Sequence, residues 1–260
     1  MKNMKKQIKK WSLRITVTCF FIAGLLLLII LEPVLSYGNK SSHGKFSVFH
    51  SSAYNEYINL RLDEAEALLQ SSEIYNSDLH LDICLNDGSF YPGLIEALRG
   101  RAFAWGFADK VVLRGKADFK NNFVELSEYR WRLKELLAHE MIHCLQANKL
   151  GFWNSKPVKN IPDWKWEGYA EYISRQHSDL NNLADNLRSM EKFTPGVEDS
   201  WCIYLADSTI IPRDYFNHLI LLQYCMDVRK MSFLNLLKDT TSEVVIKEEM
   251  KNWFSHQSGL

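Results

Sequence analysis

The chain lacks a CxxC pair, a glycine-rich phosphate loop and any internal repeat. These absences exclude cysteine zinc-finger modules, a nucleotide-cradling turn and solenoid architectures. Excess charge of either sign is also missing, since 31 basic residues cancel 31 acidic ones over 260 positions. Such a balance gives no footprint for nucleic-acid binding. Cysteine is scarce at five, and Cys19 lies in an apolar run. That leaves Cys84, Cys144, Cys202 and Cys225, enough for up to two disulfides outside the cytoplasm. Cys144 has no neighbour to depress its pKa, so it reads as a small core residue rather than a nucleophile.

The charge is unevenly spread. Lys2, Lys5, Lys6, Lys9, Lys10 and Arg14 open the chain with no acid among them, so the remainder carries 25 bases against 31 acids, a net of −6. An apolar stretch follows to Leu31, long enough for one helical crossing of a bilayer, and Glu32-Pro33 ends it. Residues 1–35 are therefore expected to form a basic N-terminus and a transmembrane anchor, with residues 12–31 meeting lipid. Because the lysines precede the span, the positive-inside rule puts the N-terminus in the cytoplasm and the rest across the membrane. Cleavage near Leu35-Ser36-Tyr37-Gly38 would instead release a secreted form.

Residues 36–45 are polar and glycine-containing, and read as a linker. A strand is expected over 45–50, an amphipathic helix over 53–70 from Tyr54, Ile58, Leu62, Ala65 and Leu68, and a strand over 79–85 from its alternating apolar residues. Periodicity leaves 90–125 undecided apart from a strand at Val111–Arg114, with Trp105-Gly106 read as a turn and Arg99, Arg101 and Arg114 as surface charges. Beyond that, helices are expected over 127–150, with Ser127 as N-cap and Gly151 just past the end, over 163–173 capped by Asp163, over 179–192 up to Thr194-Pro195-Gly196, and over 213–228, 232–237 and 243–254. Thr240 and Glu243 suggest a capping box before the last. The fold class is α+β, with a mixed N-terminal subdomain at 46–151 and a helical one at 152–260.

Within the helix 127–150 stands His139-Glu140-Met141-Ile142-His143. Residues four apart share a helix face, so both imidazoles can reach one metal ion while Glu140 stands beside them. Leu137, Ala138, Met141, Ile142 and Leu145 are expected to hold the opposite side in a core. A catalytic zinc takes three protein ligands and keeps one position for water. Trp164-Lys165-Trp166-Glu167-Gly168-Tyr169-Ala170-Glu171-Tyr172 offers two carboxylates one helical turn apart for the third place. No H-x-x-G-x-x-H continuation follows His143, and the charged flanks of the motif argue against an intramembrane protease.

HEMIH followed by WEGYAEY resembles the gluzincin branch of zinc metallopeptidases, especially aminopeptidase-type and peptidase-MA-like members with an E-G-x-A-x-Y signature. The resemblance implies a zincin-like catalytic domain, a Zn2+ cofactor and a peptide or protein substrate. It implies Glu167 as third ligand beside His139 and His143, Glu171 as the support of a ligand histidine, and Glu140 as the general base acting on zinc-bound water. It also implies a tyrosine or histidine from the helical half at the developing oxyanion. Tyr215 leads for that role, with His218, Tyr204 and Tyr224 behind it. The competing expectation is a non-hydrolytic, zinc-containing membrane assembly or sensory module that keeps the scaffold. No G-x-M-E-N-type segment is present to grip a substrate amino terminus.

Overall fold

The structure is a computed structural model that describes residues 2–193 and 201–258. Helix α1 (Lys2–Leu31) leads into strands β1 (Asn39–His43) and β2 (Phe46–His50), helix α2 (Tyr57–Leu69), strand β3 (Leu81–Cys84) and helix α3 (Tyr91–Arg99). Strands β4 (Ala104–Phe107) and β5 (Lys110–Leu113) complete a five-stranded sheet in the order β1-β2-β3-β5-β4. Its centre is parallel and its margins antiparallel: β2, β3 and β5 run together, while β1 and β4 run against their neighbours. Strands buried on both faces read as continuous apolar runs, as Val111, Val112 and Leu113 do.

A second, three-stranded sheet follows, formed by β6 (Lys116–Asp118), β7 (Phe123–Leu126) and β8 (Tyr129–Arg132), and it delivers the chain into helix α4 (Leu133–Leu150). The helical part then comprises α5 (Asp163–Ser174), α6 (Leu183–Phe193), α7 (Arg213–Gln223), α8 (Phe233–Lys238) and α9 (Glu243–Ser258), with a small hairpin of β9 (Cys202–Tyr204) and β10 (Ile210–Pro212) before α7. The molecule is thus a mixed α+β chain with one apolar N-terminal helix and a helical C-terminal part.

Several sequence expectations are corrected. The helix of the histidine motif begins at Leu133, so Ser127 is not its cap; Ser127 sits at φ +57° in the turn between β7 and β8. The cap comes from elsewhere in the chain. Asn122, at φ +62°, gives its backbone oxygen to the Leu133 N–H at 3.0 Å and its side-chain oxygen to the Lys134 N–H at 3.0 Å, satisfying two donors of the first turn. Trp105-Gly106 lies in strand β4 rather than a turn, and residues 39–43 of the expected linker pair with β2. The Thr240 capping box does not form, because Ser242 takes the place and accepts from the Val245 N–H at 3.4 Å. Asp163 is the first residue of α5, with Pro162 as cap. Helix α6 begins at Leu183 rather than 179, and Thr194-Pro195-Gly196 lies outside the described residues. Cys84, Cys144 and Cys225 are buried free thiols, so two disulfides do not form.

The main core lies between the sheet and the helices. Ile58, Leu62, Ile83, Val111, Leu137, Met141, Ile142, Tyr169, Leu219 and Leu222 join it from α2, the sheet, α4, α5 and α7. Helix α4 is buried almost all round, and Leu133 to Gln146 are enclosed except Lys134. The other face of the sheet carries a smaller cluster of Tyr37, Phe49, Cys84, Tyr91, Ile95, Trp105 and Val112, against which Ile29 and Ile30 from the end of α1 pack. Tyr37 is buried there, and its hydroxyl donates to the Leu85 carbonyl at 2.8 Å.

Two glycines set the spacing of the layers. A Cβ on Gly106 would stand 2.1 Å from the Glu140 carbonyl oxygen, so β4 lies directly on the helix backbone. A Cβ on Gly168 would stand 2.5 Å from Leu222 Cδ2 and 2.8 Å from the His218 carbonyl, so α5 and α7 meet at this point. Gly106→Ala must push strand from helix, and is expected to destabilise the chain by about 1–3 kcal/mol. A shifted denaturation midpoint would show it, whereas an unchanged midpoint would mean the strand is not seated so closely.

Candidate metal and catalytic site

One turn of α4 and one turn of α5 face each other across a buried seam. From α4, His139 Nε2 and His143 Nε2 point to a common place and lie 3.1 Å apart. From α5, Glu167 Oε2 lies 3.3 Å from the first and 3.2 Å from the second. Around a zinc-sized ion with ligands at 2.0–2.1 Å, a tetrahedral arrangement separates ligand atoms by about 3.3 Å. The triangle therefore has the size that such an ion requires, and two imidazoles with one carboxylate form a suitable donor set. The three residues could hold a metal ion.

The groups behind them fix the donors. His143 Nδ1 donates to Gln146 Oε1 at 2.8 Å, and the Gln146 amide donates in turn to the Trp166 carbonyl at 3.0 Å, tying the imidazole to α5. Trp166 lies flat on the His143 ring with centroids 5.8 Å apart. His139 Nδ1 lies 2.9 Å from Glu171 Oε1. Both arrangements orient the rings with Nε2 towards the seam, because a nitrogen engaged on one side leaves the other for the ion. Glu171→Gln keeps the shape but removes the charge, and is expected to weaken metal binding about 10- to 100-fold. Competition with a chromophoric chelator measures this directly.

Glu171 is itself held by a fully buried cation. Arg175 places Nε 3.0 Å from Glu171 Oε2 and pairs through a second nitrogen with Glu135. Arg132, at 3.3 Å from Glu135 and paired with Asp207, continues the chain of charges to the surface.

The electrostatics follow from this crowding. Burial alone would lower the His139 pKa, but the Glu167 and Glu171 carboxylates raise it to about 10. Burial works to raise Glu167, yet His143 and His139 hold it well below the usual carboxylate range. The seam therefore demands a cation, which a proton or a metal can supply. Burial raises Glu140 above the ordinary range, against the pull of His139 and His143.

Glu140 does not join the triangle. It lines a cleft of about 500 Å³ walled by Phe103 and Ala104, by Leu126, Tyr129 and Trp131 of the β7–β8 hairpin, and by Trp201 and Tyr215. The Gly106 N–H acts against the rise in its pKa and lowers it in part.

Of the four aromatic candidates, the structure brings Tyr215 to the site. Its ring stacks on His139 at 5.3 Å and 13°, and burial together with the nearby Glu167, Glu140 and Glu171 carboxylates raises its pKa well above the ordinary tyrosine value. His218 stands one turn further on, 6.4 Å ring to ring from Tyr215. Tyr204 is exposed on β9, and Tyr224 packs against Trp253, 6.1 Å between ring centres.

Sequence reasoning missed Gln146, Arg175, Gly106 and the β7–β8 hairpin. Gln146 and Arg175 had a readable signal, since they follow His143 by three residues and Glu171 by four, both same-face spacings on a helix. Gly106 had none, because its role depends on a strand lying over a helix 34 residues later. Compared with known proteins, this chain matches no family model, no curated protein and no solved structure.

Proposed function

We propose that this protein is a zinc-dependent peptidase of gluzincin type with a zincin-like catalytic domain, anchored by α1 and facing away from the cytoplasm. The observation that carries the reading is the 3.1–3.3 Å triangle of His139, His143 and Glu167 with Glu140 beside it in an open cleft. A sensory or assembly module would have no use for a buried carboxylate facing solvent-accessible space next to a metal position.

A zinc ion in the triangle would supply an acidified water and polarise the scissile carbonyl. Glu140 is placed to accept the proton from the attacking water and to return it to the departing amine. Tyr215 is stacked on His139, and its hydroxyl is available to the oxyanion as charge develops. Strand β4 ends the sheet, and no strand pairs with its outer edge among the described residues. An extended peptide can add there by backbone hydrogen bonds while the aromatic walls receive its side chains.

The test is metal content together with hydrolysis of a quenched-fluorescent peptide library by the full chain in detergent. One zinc per chain, activity abolished by a chelator and restored by zinc, is the expected result. A chain without bound metal, or one whose hydrolysis survives chelation, overturns the proposal.

A further inference from the structure

No residue of the apolar stretch Trp11–Leu31 is fully buried inside the protein, yet its last turn is built into the fold. Ile29 and Ile30 pack on the cluster that contains Trp105 and Tyr91, and the Tyr91 hydroxyl donates to the Ile30 carbonyl at 2.6 Å. Pro33 and Tyr37 are buried just beyond. Beside this junction the short turn 33–35 exposes Val34 and Leu35, and Ser89 Oγ ties it to the start of α3 by donating to the Ser36 carbonyl at 2.8 Å. Phe90, Leu94 and Leu98 then recur every four residues, a single stripe along α3. Phe90 and Leu98 are 59% and 56% exposed, while Tyr91 and Ile95 on the adjoining side of the helix are buried. Exposed Arg99 and Arg101 follow at its end.

We propose that this face, made of Val34, Leu35, Phe90 and Leu98, lies in the headgroup region of the bilayer that α1 enters, so that the cleft works against the membrane surface. The inference rests on the reading of α1 as a retained anchor. Lipid is the occupant because the end of α1 is joined directly to this face, through Ile29 and Ile30 on the cluster and the Tyr91 and Ser89 hydrogen bonds, so a bilayer that holds α1 meets the patch as well. The placement bears on function through β4. Trp105 points into the cluster that receives α1, whereas Gly106, the next residue, touches Glu140 on the other side. One strand therefore separates the membrane junction from the catalytic carboxylate. Arg101, two residues past α3, already lines the cleft. The substrates that fit are extended segments of membrane-tethered chains close to the lipid, rather than peptides free in bulk solution.

The experiment uses the full chain with Cys19→Ser, reconstituted in phosphatidylcholine vesicles containing phosphatidylglycerol. Spin labels are placed through Phe90→Cys, Leu98→Cys and, on α9, Glu248→Cys. Labels at 90 and 98 are expected to collide more with lipid-soluble oxygen than with a water-soluble nickel chelate, and the label at 248 to show the reverse. Labels at 90 and 98 as open to the chelate as 248 overturn the proposal, as does shielding from both reagents, which would mean a protein partner. In parallel, Phe90→Glu with Leu98→Glu is expected to slow cleavage of a lipid-tethered peptide about tenfold or more while leaving a soluble peptide unchanged. Equal loss on both substrates counts against the membrane role. Absence of turnover on any peptide would remove the peptidase reading alone, because the label depths are measured without it.

Discussion

Glu140→Gln is expected to leave one metal ion bound per chain and to reduce peptide hydrolysis by about 10²- to 10⁴-fold, the range that a positioned acid–base group contributes. The separation of the two effects follows from geometry. Glu140 stands outside the triangle formed by His139, His143 and Glu167, so an isosteric amide there disturbs no donor atom. The amide keeps the size and shape of the carboxylate but cannot take a proton. His139→Ala and His143→Ala should behave differently. Each removes a donor, so metal content and turnover fall together. Zinc analysis on the same samples used for kinetics distinguishes these outcomes, and a Glu140→Gln protein that still turns over at the native rate would assign the base elsewhere.

The second large effect is on stability. Arg175→Met is expected to cost about 3–5 kcal/mol, because it strands Glu135 and Glu171 as buried carboxylates with their main counter-charge gone. Arg175 is 1% exposed and Glu171 wholly enclosed, so water cannot take over the role. The arginine also holds Glu171 below the usual carboxylate range against the opposing effect of burial. Without it, Glu171 would tend to hold a proton and lose its charge beside His139. A fall of roughly 10 °C in the melting temperature is expected for a chain of this size, accompanied by weaker metal binding. A variant that loses metal without losing stability would mean that the network serves only the site.

The candidate site was more legible than the fold around it. His139, Glu140, His143, Glu167 and Glu171 declare themselves because helical periodicity turns spacings of four into shared faces, and both segments are helices in the structure. The role of Gly168 shows only in the structure, where a residue without a side chain lets α5 approach α7 closely. The hairpin at 116–132 was illegible for the opposite reason. Its strands are three and four residues long, and Lys116, Asp118, Glu125, Arg130 and Arg132 interrupt any alternation. Ser127 looked like a helix start because a cap is ordinarily adjacent to its helix, whereas Asn122 reaches α4 from a turn eleven residues away. Helix α3 is only nine residues long with Pro92 and Gly93 in its first turn, residues that in a sequence mark a turn rather than the start of a helix.

That hairpin gives the chain an unusual division of labour. Its near end, at Asn122, seats the first turn of the histidine helix, while its far end, at Leu126 and Tyr129, forms a wall of the cleft. Cleft wall and helix seat thus sit on one short ribbon but at opposite extremities. Randomising positions 126–129 while keeping 122 would let a mutational library reshape the cleft wall without unseating His139 and His143.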